Sequence, residues 1–539
     1  MIRSFLLAAV TVLAFGAAHG ADRADALKTY ADTLAQQAQA AAAPAQPSTI
    51  VPDPEFGNTG MKSFWPPSTA DWSSVEDGLR VLPWVRQVTY PGPPPATFPI
   101  HGGYYVLGRQ QNAAGDRWRG WVARVSLEGT LDTTFGTAGW LYSDSADTIV
   151  DAAMANGRAY FLGNVVFGVP ATRVICLDLA SGDNCYSLLA GIQTWHITAA
   201  TTHTGAYAQR LLHDSRYGLF IAARVTDTTH GQLAGIARID ADTGGLITSF
   251  GDGGYYIGMS IAGHWTQNEI SINDLAIPPQ GTPGGTRLYA AGQGKRASGD
   301  HDAFTVAFDP VTGAKATNWD WHWYWINGTA FDNQKNAISA LTVLDDGRLA
   351  YAGWTESTDS AYRPMYLGVV KSDGSQDTSF CPGSSASLCL VDRRHDINIG
   401  GVPISSYVPH SLPVALSSSH SGHLIVAERF RDNGFNSAYP PINHFHQRVS
   451  EYTGTGNPSR VSTSVLDYPA STSTTSDGWW SRPFSMWVGG TGLWLGDEGA
   501  GQEVIAVAGT RKWIAIDFDA TLGHLLLQSE LLSDGFEGP

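Results

Sequence analysis

The chain has 539 residues, a formal net charge of −16, only 15% charged residues, 60 Gly, 28 Pro and 11% aromatics. An acidic surface repels phosphate, which argues against nucleic acid and anionic membrane as partners. So many turn formers beside so many large apolar side chains exclude a disordered chain and point to numerous short strands.

Residues 1–20 read as a secretory signal. Arg3 gives the positive end, Phe5 to Phe15 form the apolar run, and Ala18-His19-Gly20 supply small residues before a cut at Ala21. That run is shorter than the roughly 18 apolar residues a spanning helix needs, and no later stretch qualifies, so no transmembrane segment is expected. Asp22 to Ala43 is rich in Ala and Gln, and Pro44, Pro47, Pro52 and Pro54 then interrupt it. Residues 21–55 are therefore expected to be a flexible leader.

From 56 to 532 the chain repeats itself. A short strand ending in a small residue recurs as Tyr104-Tyr-Val-Leu-Gly108, Ala159-Tyr-Phe-Leu-Gly163, Leu219-Phe-Ile-Ala-Ala223, Leu288-Tyr-Ala-Ala-Gly292 and Leu349-Ala-Tyr-Ala-Gly353. Leu424-Ile-Val-Ala-Glu428 and Leu493-Trp-Leu-Gly-Asp497 are the last two copies, and successive copies lie 55 to 75 residues apart. A second apolar run precedes each later copy and a third follows, separated by Gly-bearing turns. Three to four antiparallel strands per copy, repeated, predict an all-β fold, a β-propeller. Seven blades of about 65 residues are expected, with six or eight as the alternatives because the end copies are least regular.

The four cysteines fit an oxidising compartment. Cys176 and Cys185 flank one short turn, and Cys381 and Cys389 flank another, so pairing within each loop is expected. A zinc site would want a C-x-x-C pair, which is missing, and no metal is assigned.

The stretch Trp121-Val-Ala-Arg-Val-Ser-Leu-Glu-Gly-Thr-Leu-Asp-Thr-Thr-Phe-Gly-Thr-Ala-Gly139 resembles the delta-60 repeat of secreted bacterial propeller-like proteins. Gly374-Ser-Gln-Asp-Thr-Ser-Phe380 and Ile247-Thr-Ser-Phe-Gly-Asp-Gly-Gly254 are similar to the same repeat. The resemblance covers 80–390 well and the remainder loosely; the second blade and the last two depart from it. It implies a propeller and an exported protein, secreted or periplasmic, and brings no catalytic residues with it.

In such blades the second-to-third loops and the blade connections share one face. Here those segments are long, which marks that face for binding. Trp319, Trp321, Trp323 and Trp325 alternate through one connection, and Trp479 and Trp480 occupy another. Flat indoles suit stacking on a sugar ring or a protein anchor, and equally suit a core between blades. Glu428, Asp497 and the adjacent Glu498 break the Gly/Ala pattern of the repeated strand. They are weak catalytic candidates as a glycosidase carboxylate pair, with calcium binding or pairing of Glu428 with Arg429 and Arg431 as alternatives. His444 and His446 are set aside as a spacing that sixteen His make common.

The leading expectation is a monomeric, disulfide-stapled binding or scaffold module for a glycan or protein surface, not an enzyme, with no cofactor. The alternatives are a carbohydrate-active hydrolase and a purely structural envelope protein. Residues 533–539 read as a tail outside the ring.

Overall fold

The computed structural model describes residues 48–52, 61–64, 66–90, 96–165, 170–185, 192–195, 203–229, 231–258, 268–283, 285–295, 301–316, 319, 322–324, 335–356, 363–375, 377–382, 388–391, 397–399, 402–404, 410–419, 422–433, 443–466, 480–490, 503–514 and 517–529. The expected signal at 1–20 and the expected tail at 533–539 lie outside these residues. Every regular element among the described residues is a β-strand.

Two short strands come first, β1 (Ser48–Pro52) and β2 (Met61–Phe64). The first blade follows with β3 (Trp72–Tyr90), β4 (Ala96–Asn112), β5 (Trp118–Ser126) and β6 (Trp140–Ala146). The second contains β7 (Thr148–Ala155), β8 (Arg158–Val165), β9 (Ala171–Asp178) and β10 (Ile192–Trp195). The third has β11 (His203–Asp214), β12 (Gly218–Asp227), β13 (Gly231–Ile239) and β14 (Tyr255–Ile257). In the fourth are β15 (Asn268–Ala276), β16 (Leu288–Lys295), β17 (His301–Phe308) and β18 (His322–Tyr324). The fifth comprises β19 (Asn336–Val343), β20 (Leu349–Thr355), β21 (Met365–Val370) and β22 (Leu388–Leu390). A small hairpin, β23 (Ile397–Ile399) and β24 (Val402–Ile404), precedes the sixth blade. That blade is β25 (His410–Ser418), β26 (Leu424–Asn433), β27 (Asn443–Tyr452) and β28 (Arg460–Leu466). The chain ends in β29 (Trp480–Gly490), β30 (Glu503–Ile514) and β31 (Asp517–Ser529).

Each blade is an antiparallel meander, and the first strands touch one another in order. β3, β7, β11, β15, β19, β25 and β29 form a closed circle, since β29 returns to contact β3. This closure makes the fold a β-propeller.

The expected blade count needs correction. Six four-stranded blades come from contiguous chain, not seven. Among the described residues the last stretch supplies three strands, and its sheet is composite. β1 pairs with Leu525–Ser529 of β31 and β2 with Ala520–Gly523, both antiparallel. Residues 48–52, assigned to the leader by composition, thus form part of the ring. Among the described residues no fourth strand follows β31, and its edge is covered from the other end of the chain by β1 and β2; the last sequence copy, Leu493 to Asp497, lies outside the described residues.

The core is divided among the interfaces between sheets. Tyr160, Leu162 and Val174 meet Leu211, Leu219 and Ile221 between the second and third blades. Val106, Trp121 and Val125 pack against Ala506 and Ala508 of the composite sheet. A sheet wedged between two neighbours buries both of its faces, so β17 and β21 are buried along their whole length. The strands accordingly read as nearly continuous apolar runs.

Two sequence signals find their physical cause here. In two blades the small residue of the repeated motif stands opposite a large aromatic side chain of the third strand. Gly108 pairs with Trp121 and Gly353 with Tyr366. A Cβ at Gly108 would fall 2.0 Å from the Trp121 ring, and one at Gly353 would fall 2.3 Å from the Tyr366 ring. The Asp-Thr-Thr-Phe type of turn is also structural. The carboxylates of Asp132 and Asp377 accept the backbone N–H of Thr134 and Ser379 at 3.0 Å. These turns, with the one at 247–250, set Phe135, Phe250 and Phe380 into the core. Full burial of one such ring contributes about 1.5–3 kcal/mol.

Both expected disulfides are present, Cys176–Cys185 and Cys381–Cys389.

Candidate functional site

Among the residues singled out by sequence, Glu428 is completely buried in the middle of β26. Its cross-strand partner is Arg448 of β27. Arg448 Nε donates to Glu428 Oε1 at 2.6 Å and Nη2 to Oε2 at 2.9 Å. Ser450 Oγ donates to Oε1 at 3.1 Å, and Arg448 Nη2 also reaches Ser411 Oγ at 3.1 Å. The pair occupies the register that Gly108–Trp121 and Gly353–Tyr366 hold in other blades. A forked ion pair therefore fills the space an aromatic ring fills elsewhere, and the partner is Arg448 instead of Arg429 or Arg431. Such a carboxylate is a packing element with both oxygens engaged. Asp497 and Glu498 lie outside the described residues.

The indoles separate in the same way. Trp319 is fully buried, its ring 4.9 Å from that of Tyr289, in a cluster with Ile338, Tyr351 and Tyr366 between the fourth and fifth blades. It is core and offers no face to a ligand. Trp323 lies in β18, the outermost strand of its blade, opposite Phe304. Trp480 begins β29 opposite Lys512. Trp321, Trp325 and Trp479 are outside the described residues. No group of three or more metal-ligating side chains occurs among the described residues.

The structure assembles a different constellation, on the first strands around the axis. All seven carry a β-bulge at one equivalent position. A bulge bends the strand and re-aims the side chain that follows it. In four consecutive strands that residue is Arg80, Asp151, Arg210 and Asp274; in the next three it is Ala340, Ala415 and Ser485. Charges of alternating sign thus run along one side of the circle.

Arg80 grips Asp151 through Nε to Oδ1 and Nη2 to Oδ2, both 2.9 Å. Asp151 also accepts the backbone N–H of Ala152 and, across the blade boundary, that of Leu211, again at 2.9 Å. Asp274 repeats the last contact, its Oδ2 accepting from Leu341 of the next blade at 2.8 Å and its Oδ1 from Leu275 at 3.0 Å. Arg210 stands between the two aspartates, Nη1 at 4.0 Å from Asp151 Oδ2 and Nε at 3.8 Å from Asp274 Oδ1. That Nε donates to the Asn273 carbonyl.

The Arg80, Asp274 and Arg210 side chains keep 28%, 19% and 21% of their surface open, so the ladder meets solvent, whereas Asp151, at 2%, is buried. Burial pushes the Asp274 carboxyl above its ordinary range, opposed in part by Arg210, Arg80 and the two backbone N–H groups.

This ladder lies on the first strands and not on the repeated second strands: Leu79-Arg80-Val81, Val150-Asp151-Ala152, Gln209-Arg210-Leu211 and Asn273-Asp274-Leu275 share one pattern.

No family model matches the sequence, and no curated protein matches it. The delta-60 likeness therefore stays a likeness of local turns, and the class shown is an all-β propeller. Among solved structures, the chain is similar to an endo-arabinase from Bacteroides thetaiotaomicron, at 11% identity over 59% of this chain and 92% of that one, TM-score 0.30. An endo-1,4-beta-xylanase from the same organism gives 9% identity over 58% and 94%, TM-score 0.28. A GH43 endo-arabinanase from Bacillus licheniformis gives 13% over 58% and 98%, TM-score 0.27. Scores this low carry no residue role across. All three are named as enzymes, which runs against the expectation of a non-enzyme, but likeness at this level carries no argument about the activity of this chain.

Proposed function

We propose that the protein is an exported carbohydrate-active hydrolase working from the propeller axis, with Asp274 as proton donor and Asp151 as the fixed carboxylate beside it. One observation carries this reading: two equivalent aspartates, placed across a single guanidinium, receive unequal treatment. Asp151 is gripped at both oxygens by Arg80, whereas Asp274 has only backbone donors at hydrogen-bonding distance, is partly open, and is pushed toward its neutral form. Glycosidic cleavage asks for that division, one carboxyl that holds a proton and one that stays ionised; Asp151, buried and held by Arg80, serves as a fixed charge near the reacting centre and not as a group that touches the sugar. Two disulfides support an oxidising destination. Trp321, Trp323, Trp325, Trp479 and Trp480 are assigned to sugar stacking in the same proposal.

The test is reducing-end release from a panel containing arabinan, xylan and polygalacturonate. At least one polymer should be cut, and Asp274→Asn should slow its cleavage by about 100-fold or more, the scale of general-acid catalysis. A panel left intact by the wild type, or an Asp274→Asn variant at full rate, overturns the reading.

A further inference from the structure

Arg210 is held differently from the other arginines in these ion pairs. Arg80, Arg109, Arg348 and Arg448 each place guanidinium nitrogen within 2.9 Å of a carboxylate. Arg210 has two carboxylates in reach and touches neither, standing off at 4.0 and 3.8 Å while its Nε is spent on a carbonyl. Arg80 has already taken both oxygens of Asp151, and Asp274 has turned its oxygens to backbone N–H groups. A partly exposed guanidinium is thus left without a forked partner, although a planar carboxylate is the group its geometry fits best.

The charge balance agrees. Two arginines face two aspartates, a locally balanced set in a chain of net charge −16, and burial that works against the charged form of Asp274 tilts it in the positive direction. An anion is drawn to that spot only if it can enter the axis, which excludes bulky polyanions with no free end.

We propose that Arg210, supported by Arg80, is a subsite for the carboxylate of an acidic sugar unit, so that the substrate is a uronate-bearing glycan. This rests on the axial reading given under Proposed function and narrows it to a substrate class. Two parallel N–H···O bonds from Arg210 would hold the carboxylate in the plane of the guanidinium. The ring hydroxyls would then lie toward Asp274. Neutralising Arg210 in this way weakens its pull on Asp274, which favours the protonated carboxyl.

The probes are trigalacturonate, its methyl ester as a neutral isostere, and acetate as a carboxylate without a sugar, each titrated calorimetrically against the full chain. Trigalacturonate should bind at least 10-fold more tightly than the ester, and acetate at equal carboxylate concentration should not displace it. Arg210→Gln should abolish the preference for acid over ester, and Arg210→Lys should restore part of it; circular dichroism checks that both fold. Should Arg210→Gln fail to fold, the Arg210→Lys titration decides alone, through a weakened preference. Equal binding of acid and ester, an unchanged preference in the variants, displacement by acetate, or no binding of either oligosaccharide overturns the proposal. Asp274→Asn separates the two readings: a variant that binds trigalacturonate as tightly as the wild type, in a wild type that cuts nothing, keeps the subsite and removes the hydrolase.

Discussion

Arg80 and Asp151, on the first strands of adjacent blades, are joined by two parallel hydrogen bonds of 2.9 Å. The same carboxylate caps the Leu211 N–H of a third blade, so one side chain ties three sheets at the axis. Asp151→Ala should cost about 3–5 kcal/mol, the range for breaking a buried pair and stranding its partner. Urea unfolding measures it. A loss under about 1 kcal/mol, as for an exposed pair, would show that the axial contacts do not hold the blades together.

Glu428 and Arg448 make the complementary case. Removing either alone strands a buried charge, so Glu428→Gln and Arg448→Met should each lose about 3 kcal/mol or more. Replacing the pair with Met–Met should recover most of that loss, because apolar groups of similar volume can replace buried ion pairs without penalty. A double-mutant cycle in denaturant reads the coupling. If the double variant is as unstable as the sum of the singles, the pair is not the packing element described above.

Gly108→Ala tests the reason for the repeated small residue. The added methyl group would lie 2.0 Å from the Trp121 ring and 2.4 Å from the Asp77 carbonyl. One neighbour is a ring packed tightly into the core and the other is backbone, so neither can yield cheaply. A loss of about 1–3 kcal/mol is expected, as for overpacking elsewhere. Gly157→Ala, at a turn with open space, should lose less and through its positive φ of 75° alone; thermal denaturation compares the two.

The fold was legible because its signals are local. Turns around Asp132 and Asp377, buried phenylalanines three residues later, and Gly108 or Gly353 beneath a ring all recur along the chain. The composite sheet was not legible, since the pairing of β1 and β2 with β31 joins residues more than 450 positions apart and leaves no repeat of its own. The setting of Glu428 was not legible for a related reason. Glu428 stood out as an exception in one strand, but its meaning depends on Arg448 across the ladder, which no spacing rule reveals. Arg80, Asp151, Arg210 and Asp274 each look ordinary singly, and only closure of the ring brings them together.

Stability should respond to acid in two opposing ways. Asp132 and Asp240 are held below the ordinary carboxylate range, the first mainly by the Thr134 hydroxyl and the second mainly by the Thr243 backbone N–H. Their contribution is fully present above the unfolded value of about 3.9 and is lost as pH falls through their depressed folded values. Asp274 is raised, so its contribution is complete below about 3.9 and is lost as pH rises through its folded value. Asp274→Asn should therefore match the wild type most closely in acid and gain on it as pH rises. Unfolding free energies measured from pH 3 to pH 8 in roughly unit steps decide it; a difference that shrinks with rising pH contradicts the assigned shift.

The most direct comparison sets Asp151→Asn, Asp274→Asn and Glu428→Gln side by side on whichever polysaccharide the wild type cuts, at a temperature where all remain folded. The account predicts that kcat falls about 100-fold or more for both axial variants and stays within about threefold for Glu428→Gln, well inside a 1 kcal/mol change. Abolished turnover in Glu428→Gln with near-normal turnover in the axial pair would contradict it.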